Sequence, residues 1–310
     1  MTAHAPEYRH EAMLWRDQSE FLNGCVPFIR DGLDRGEPVM VATTAQRTAL
    51  LVSALGSQAA DVRFADMEVL GANPACIIPA WADFVRDAGG HPSRGIGEPI
   101  WAGRSDIEIS ECQLHESLLN MAVPSHVPFW LVCPYDAGRL PPAVLEEAER
   151  SHPVVTGVGR AVPRTQAYAG PGQAHASFAT DLPTPSVVDL RLEFGLRDLR
   201  ALRAEVGERA RREGVGYDRA ADLALAVHEL AANSVLHGGG RGVLQFWREP
   251  ATLVVEVTDA GTVANPLAGR VGATADDPSG RGLWMVNHLC DLVQLRSSAA
   301  GTTVRLHTHL

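Results

Sequence analysis

Residues 228–240 read HELAANSVLHGGG. Leu230, Ala231, Ala232, Val235 and Leu236 make this a largely apolar helix, and three glycines stop it at Gly238. Glu229 and Asn233 stand four residues apart, so they share one face one turn from each other. A lone carboxylate and amide on such a helix are commonly just a solvated stripe. The surrounding segments decide between that and a site.

Working outward, VVDLRLEFG alternates Val188, Leu190, Leu192 and Phe194 with polar residues, which predicts a strand with one buried face. LRDLRALRAEVGERARREG follows as a helix with Leu199, Leu202, Val206 and Ala210 inward. The quoted stretch ends a second helix, Tyr217 to His237, with Asp218 expected as its cap. GVLQFWRE and ATLVVEVTD read as a hairpin. An irregular stretch from Ala260 to Ser279 is long for a loop within a compact domain, and lids and binding loops are its usual origin. GRGLWMVNHLCD is a short helix, and DLVQLRSS with GTTVRLHTH makes a final hairpin. The order β-α-α-β-β-loop-α-β-β predicts an α+β two-layer sandwich.

Four segments of this half resemble, in chain order, the N, G1, G2 and G3 boxes of the GHKL ATPase superfamily. They are Glu229 with Asn233, VTDAG with Asp259 and Gly261, SGRGLW with Gly280 and Gly282, and GTTV with Gly301 and Thr302. That group has the Bergerat fold and includes gyrase, MutL, histidine kinases and the anti-sigma-factor serine kinases. The resemblance implies ATP and Mg²⁺ as cofactors. Asn233 would offer a carbonyl oxygen to Mg²⁺. Glu229 would orient or deprotonate the group attacking the γ-phosphate. Asp259 would accept the adenine amino hydrogen, with Thr302 in support. Gly280, Arg281 and Gly282 open a helix whose first N–H groups favour phosphate oxygens, and Arg281 is the nearest cation. Two departures fall on the lid hinge: Val263 replaces a second glycine, and Ala264-Asn265-Pro266 replaces Phe-Asp-Pro.

The stretch before Val188 is rich in Pro and Gly rather than a helical hairpin, unlike a histidine kinase, and no transducer segment follows Leu310. The remaining likeness is to the anti-sigma serine/threonine kinase branch, which binds a sigma factor or phosphorylates a STAS-domain antagonist. Proteins of that branch often pair as homodimers.

The first half alternates helix and strand. SEFLNGCVPFIRDGLDRG is a helix with Ser19 as its expected cap; PVMVATT, VRFADM, SRGIGEPIW and PFWLVCPYD read as strands; TAQRTALLVSALG, NPACIIPAWADFVRDAGG, SDIEISECQLHESLLNMAV and PPAVLEEAERSHP read as helices. Such alternation predicts an α/β domain with a mainly parallel sheet covered on both faces. FLNGCVPFIRDGLDRGEPVMVATT, IIPAWADFV, RGIGEPIW, ECQLHESLLN and WLVCPYD resemble the MEDS (DcmR-type) sensory domain over about Glu11 to Pro153. The likeness implies a RecA- or KaiC-like core without a Walker A loop, sensing a small molecule. Ligands of open α/β sheets sit at the carboxyl ends of strands. Thr43, Thr44, Asp66, Arg94, Glu98, Trp101, Cys133, Tyr135 and Asp136 are expected there, with His115 and Glu116 from the following helix. Arg94, Glu98 and His115 are the chosen sensor-pocket residues.

The resulting expectation is residues 1–165 as a MEDS-like sensor, 166–186 as an extended linker rich in Ala, Gly, Pro, Ser and Thr, and 187–310 as the ATPase. A net charge of -10 with no strong basic cluster argues against direct nucleic-acid binding and against an anionic membrane surface. All 27 basic residues are arginine, which excludes a Walker A lysine and Schiff-base chemistry. Five scattered cysteines make neither a disulfide framework nor a CxxC metal site. His228-Glu229 and His115-Glu116 lack the second His of HExxH, since Ala232 and Leu119 stand there. No apolar leader or long apolar run appears, so a cytoplasmic location is expected. The sequence thus predicts a signal-transduction protein in which a sensor controls an ATP-dependent serine/threonine kinase and, through it, transcription. The alternatives are an ATP-dependent binding module with little turnover, and a nucleotide-free core beside an active sensor half.

Overall fold

The structure is a computed structural model; it describes residues 7–157, 162–163, 167–271 and 280–310. The chain divides into two compact units, Met1–Gln173 and Ala174–Leu310.

In the first unit the strands are β1 (Arg9–Trp15), β2 (Val39–Thr43), β3 (Val62–Asp66), β4 (Ser93–Gly97), β5 (Phe129–Asp136), β6 (Val154–Gly157) and β7 (Val162–Pro163). The helices are α1 (Gln18–Asp34), α2 (Ala45–Leu55), α3 (Met67–Leu70), α4 (Ile77–Asp87), α5 (Asp106–Ala122) and α6 (Pro142–Ser151), and α7 (Gly172–Phe178) spans the junction between the units. The sheet order is β3-β2-β4-β5-β1-β6-β7. Every pairing is parallel except β6 with β7.

Strands buried on both faces need continuous apolar runs, and all five residues of β2 (VMVAT) are buried. On one face Phe21, Cys25 and Ile29 of α1 and Leu51 of α2 pack on Met13, Val41, Ile96 and Val132. On the other, Trp81 of α4 lies over Phe129 with ring centroids 5.7 Å apart. Each fully buried side chain of this size contributes about 1.5–3 kcal/mol.

Four details differ from the sequence expectation. β1, β6 and β7 were not anticipated, although β1 lies inside the sheet between β5 and β6. Its first residues, Arg-His-Glu, look like a solvated leader, but His10 and Glu11 are buried. The cap of α1 is Asp17, which accepts from the Glu20 amide; Ser19 lies inside the helix. The Tyr217–His237 helix is capped at Gly216, so Asp218 acts from the first turn through the helix dipole instead. Finally, the segment expected to be an extended linker contains α7, whose Ala174 and Phe178, spaced i and i+4, are buried.

The second unit comprises β8 (Leu190–Gly195), α8 (Leu199–Arg212), α9 (Tyr217–His237), β9 (Arg241–Glu249), β10 (Thr252–Asp259), α10 (Arg281–Leu289), β11 (Leu292–Ser298) and β12 (Gly301–His309). The sheet runs β11-β12-β10-β9-β8 with every pairing antiparallel. α9 packs on β9 and β10 and against both α8 and α10, giving the expected two layers. Of the expected lid, residues 272–279 lie outside the described residues. No helix among the described residues is long and apolar enough to cross a membrane.

Candidate functional site

α9 buries Ala226, Val227, Leu230 and Ala231, which leaves Glu229 and Asn233 half-buried on a flank of the helix. α10 packs against α9. Its N-cap is Gly280, which brings no side chain to the first turn. A Cβ placed on Gly282 would lie 3.4 Å from Glu229 Oε2 and 3.4 Å from Asn233 Nδ2. The carboxylate, the amide and a bare helix start therefore converge, and glycine keeps open the space between them. Arg281 is exposed beside them.

On the sheet beside α9, Asp259 closes β10 opposite Thr302 of β12. Its Oδ2 accepts from Ser234 Oγ at 2.6 Å and its Oδ1 from the Gly261 amide at 2.8 Å. A carboxylate has about four acceptor positions, so Asp259 keeps capacity for a ligand donor. Thr302 Oγ1 donates to the Gly261 carbonyl at 2.9 Å and shares a hydrogen bond of 2.9 Å with Ser297 Oγ. Ser297 Oγ also accepts from the Val263 amide at 2.8 Å. A side chain at Gly261 would meet the His237 carbonyl at 2.6 Å, so only glycine lets β10 turn so close to the end of α9.

The structure thus gathers Glu229, Asn233 and Gly282 in one group, and Asp259, Gly261 and Thr302 in another. Consecutive residues of α9 link them: Asn233 faces α10 and Ser234 holds Asp259. Ser234 and Ser297 escaped the sequence reading. The position after Asn233 on a helix packed against a strand was the available signal for the first. Nothing local signalled the second.

The donor set fits the cofactors that the resemblance implied. Asn233 and Glu229 supply hard oxygens beside a helix start suited to phosphate, and Asp259, held by Ser234, supplies a partly buried acceptor.

In the first unit the three chosen pocket residues are not brought together. Arg94 lies at the amino end of β4, beside Val39 at the start of β2. It binds Asp31 and, at 2.5 Å, Glu37, and donates to the Phe28 carbonyl at 2.9 Å. This corrects its expected place at a carboxyl end: it ties α1 to the sheet. Glu98 does follow the carboxyl end of β4, near Asp136. Arg47 stands between them, 3.9 Å from Glu98 Oε1 and 3.5 Å from Asp136 Oδ2. Burial pushes the Glu98 carboxyl up to about 8; Arg47 opposes the rise and Asp136 adds to it. His115 is buried within α5. A cavity of about 390 Å³ lies elsewhere, lined by Met13, Cys25, Phe28, Trp130 and Val132 with Glu11 and Asn23, and by none of the three.

Residues 9–153 match the family described as MEDS, the MEthanogen/methylotroph, DcmR Sensory domain. Residues 192–308 match the histidine kinase-like ATPase domain. No curated protein matches the chain. Among solved structures, the RsbU and RsbW domains of Rv1364c from Mycobacterium tuberculosis align at 23% identity over 41% of this chain and 32% of that one. The chain thus spans about a third of the length of that solved chain, and the TM-score of 0.29 is too low to support an argument about shape. With the parallel α/β unit and the antiparallel unit already described, the two family matches show that this chain joins an N-terminal MEDS domain to a C-terminal histidine kinase-like ATPase domain.

Proposed function

We propose that the ATPase domain binds Mg-ATP and acts as a serine/threonine protein kinase of the anti-sigma-factor type, under the control of the MEDS domain. The observation that supports this best is the approach of Glu229 and Asn233 to Gly282 at the start of α10. Asp259 would fix the adenine ring through its free acceptor positions, with Ser234 and the Gly261 amide holding the carboxylate in place. The first N–H groups of α10 would receive the phosphates, with Arg281 alongside. When bound to the Asn233 carbonyl, Mg²⁺ supplies charge neutralisation to the phosphate oxygens. Glu229, one turn away, would orient the attacking hydroxyl and accept its proton. The expected partner is a sigma factor or a STAS-domain antagonist, by the sequence resemblance. The expected sensor ligand is small and weakly polar, and the 390 Å³ cavity, largely lined by apolar side chains, suits it better than the strand ends do.

A second reading, a binding module with little turnover, is favoured by one observation. At the lid hinge, where the superfamily has glycine, this chain has Val263, and Ser297 holds its amide. Labelled ATP and a STAS-domain protein distinguish the two. Phosphate transfer that Glu229→Gln abolishes while ATP binding persists is the result expected of a kinase. Binding without transfer in the unsubstituted protein gives the second reading. Absence of ATP binding at millimolar nucleotide with Mg²⁺ refutes both.

A further inference from the structure

Away from the nucleotide cleft, four side chains from distant parts of the first unit meet in its interior. They are His10 of β1, Glu116 of α5, Cys133 of β5 and His152, the C-cap of α6, all fully buried. One nitrogen, oxygen or sulfur atom from each lies within 4.8 Å of the others. His10 Nε2 is 3.0 Å and His152 Nε2 3.3 Å from Glu116 Oε2. Cys133 Sγ is 3.4 Å from His10 Nε2 and 3.5 Å from Glu116 Oε2.

The outer hydrogen bonds fix where the protons are. Asn120 Nδ2 donates to the Ser151 carbonyl at 2.7 Å, which turns Asn120 Oδ1 toward His10 Nδ1 at 3.1 Å. An amide oxygen only accepts, so His10 Nδ1 carries the hydrogen. His152 Nδ1 faces the Ala148 carbonyl at 2.8 Å and carries its hydrogen for the same reason. In neutral rings both Nε2 atoms then present bare lone pairs to a carboxylate oxygen. The Cys133 thiol is the only donor among the four converging groups. Glu116 Oε1 accepts no hydrogen bond among the described residues. Lone pairs facing one another in a dry interior repel unless something positive lies between them.

We propose that His10, Glu116, Cys133 and His152 form a closed, four-ligand site for a divalent transition metal of the zinc type. Tetrahedral zinc with nitrogen and oxygen ligands at about 2.0 Å and one sulfur at about 2.3 Å has ligand-to-ligand edges of about 3.3–3.5 Å. The four measured separations, 3.0 to 3.5 Å, lie close to those edges. The ligand chemistry suits such an ion: two imidazoles, a thiolate and a carboxylate. So does the surrounding shell, in which each imidazole donates its other N–H to an oxygen. Charge also closes, because a dication with one thiolate, one carboxylate and two neutral imidazoles leaves a neutral core. In the metal-free site the Cys133 thiol stands as a donor to Glu116 Oε2 at 3.5 Å. Binding M²⁺ would therefore form the metal–sulfur bond and release one proton to solvent. The site would fasten β1, β5, α5 and the end of α6 together. It is independent of the proposed kinase activity.

The test uses the purified full chain, stripped with a chelator and titrated with Co²⁺ and then Zn²⁺. One equivalent of Co²⁺ should give strong tetrahedral visible bands and a thiolate-to-cobalt charge-transfer band, both displaced by Zn²⁺. Cys133→Ser should remove the charge-transfer band. Asn120→Ala, which keeps all four ligands but frees the His10 ring, should weaken the metal about 10-fold or more. The nucleotide cleft contributes no sulfur, so cobalt bound at Asn233 gives no such band. A folded full chain that shows no cobalt spectrum overturns the proposal. So does a charge-transfer band that survives Cys133→Ser, or an affinity that Asn120→Ala leaves unchanged should the cysteine variant fail to fold.

Discussion

At the scale of single residues, two hydrogen-bonding patterns carry predictions. Ser234 Oγ donates to Asp259 at 2.6 Å. Among the described residues, Ser234→Ala leaves Asp259 held only by the Gly261 amide and should weaken ATP about 5- to 10-fold, roughly 1–1.5 kcal/mol, in a calorimetric titration. Glu98 predicts a pH effect. Its carboxyl keeps a proton up to about 8 in the folded protein, against an ordinary value of 4.5. Between those values the folded state binds more protons than the unfolded one, so stability falls as pH rises through this window. The contribution is fully present below the lower value and lost above the upper one, at about 1.4 kcal/mol per unit. Glu98→Gln stays neutral throughout and should flatten the decline, seen by comparing melting at about pH 5 and about pH 9. Much at this scale was legible. The shared face of Glu229 and Asn233 is readable from their spacing, whereas Asp259, Gly282 and Thr302 are expected only through the superfamily resemblance. Ser297 is not legible, because it enters only through the pairing of β11 with β12. The His10 cluster is not legible either, since Glu116 follows His115 in a pattern that fails the usual metal motif and its partners lie 106 and 17 residues away.

Among secondary-structure elements, α9 and α1 show what spacing does and does not reveal. α9 runs from Tyr217 to His237, as its apolar period predicts. Periodicity places Glu229 and Asn233 on one face but does not say that α10 packs there. Arg94 shows the converse. Its position in a strand was read correctly, yet which end of β4 it marks depends on register with β2. The side chain is almost wholly buried and secures α1 through Asp31, Glu37 and the Phe28 carbonyl. Arg94→Met should therefore cost about 2–3 kcal/mol of stability in denaturant unfolding. A loss of ligand binding without loss of stability would return Arg94 to the sensor pocket. β1 and β6 were the interior strands missed. A strand that opens with Arg-His-Glu has the look of solvent-exposed chain, and its burial becomes intelligible only with Glu116 and Trp130 beside it.

For the molecule as a whole, two units with separate cores predict two thermal transitions. Mg-ATP at about 100 times its dissociation constant should stabilise the ATPase unit by about 2.7 kcal/mol and raise its transition alone in calorimetry. A uniform upward shift of both transitions would mean that the two units unfold as one. The division into an α/β half and an α+β half was legible because helix and strand alternate in the first and follow β-α-α-β-β in the second. α7 was not, because two buried residues in a stretch of Ala, Gly, Ser and Pro give too weak a period.

The place of β1 has a consequence for biosynthesis. It leaves the ribosome well before its neighbours in the sheet, β5 and β6, and His10 and Cys133 are 123 positions apart. At about 5–20 residues per second, roughly 6–25 s pass before the strand meets its first neighbour. Throughout that interval the nascent chain carries a segment with unmatched amide edges, open to trigger-type chaperones and to stray pairing between polysomes. Translation speed across residues 9–157, more than codon choice in the second half, should therefore govern the yield of soluble protein.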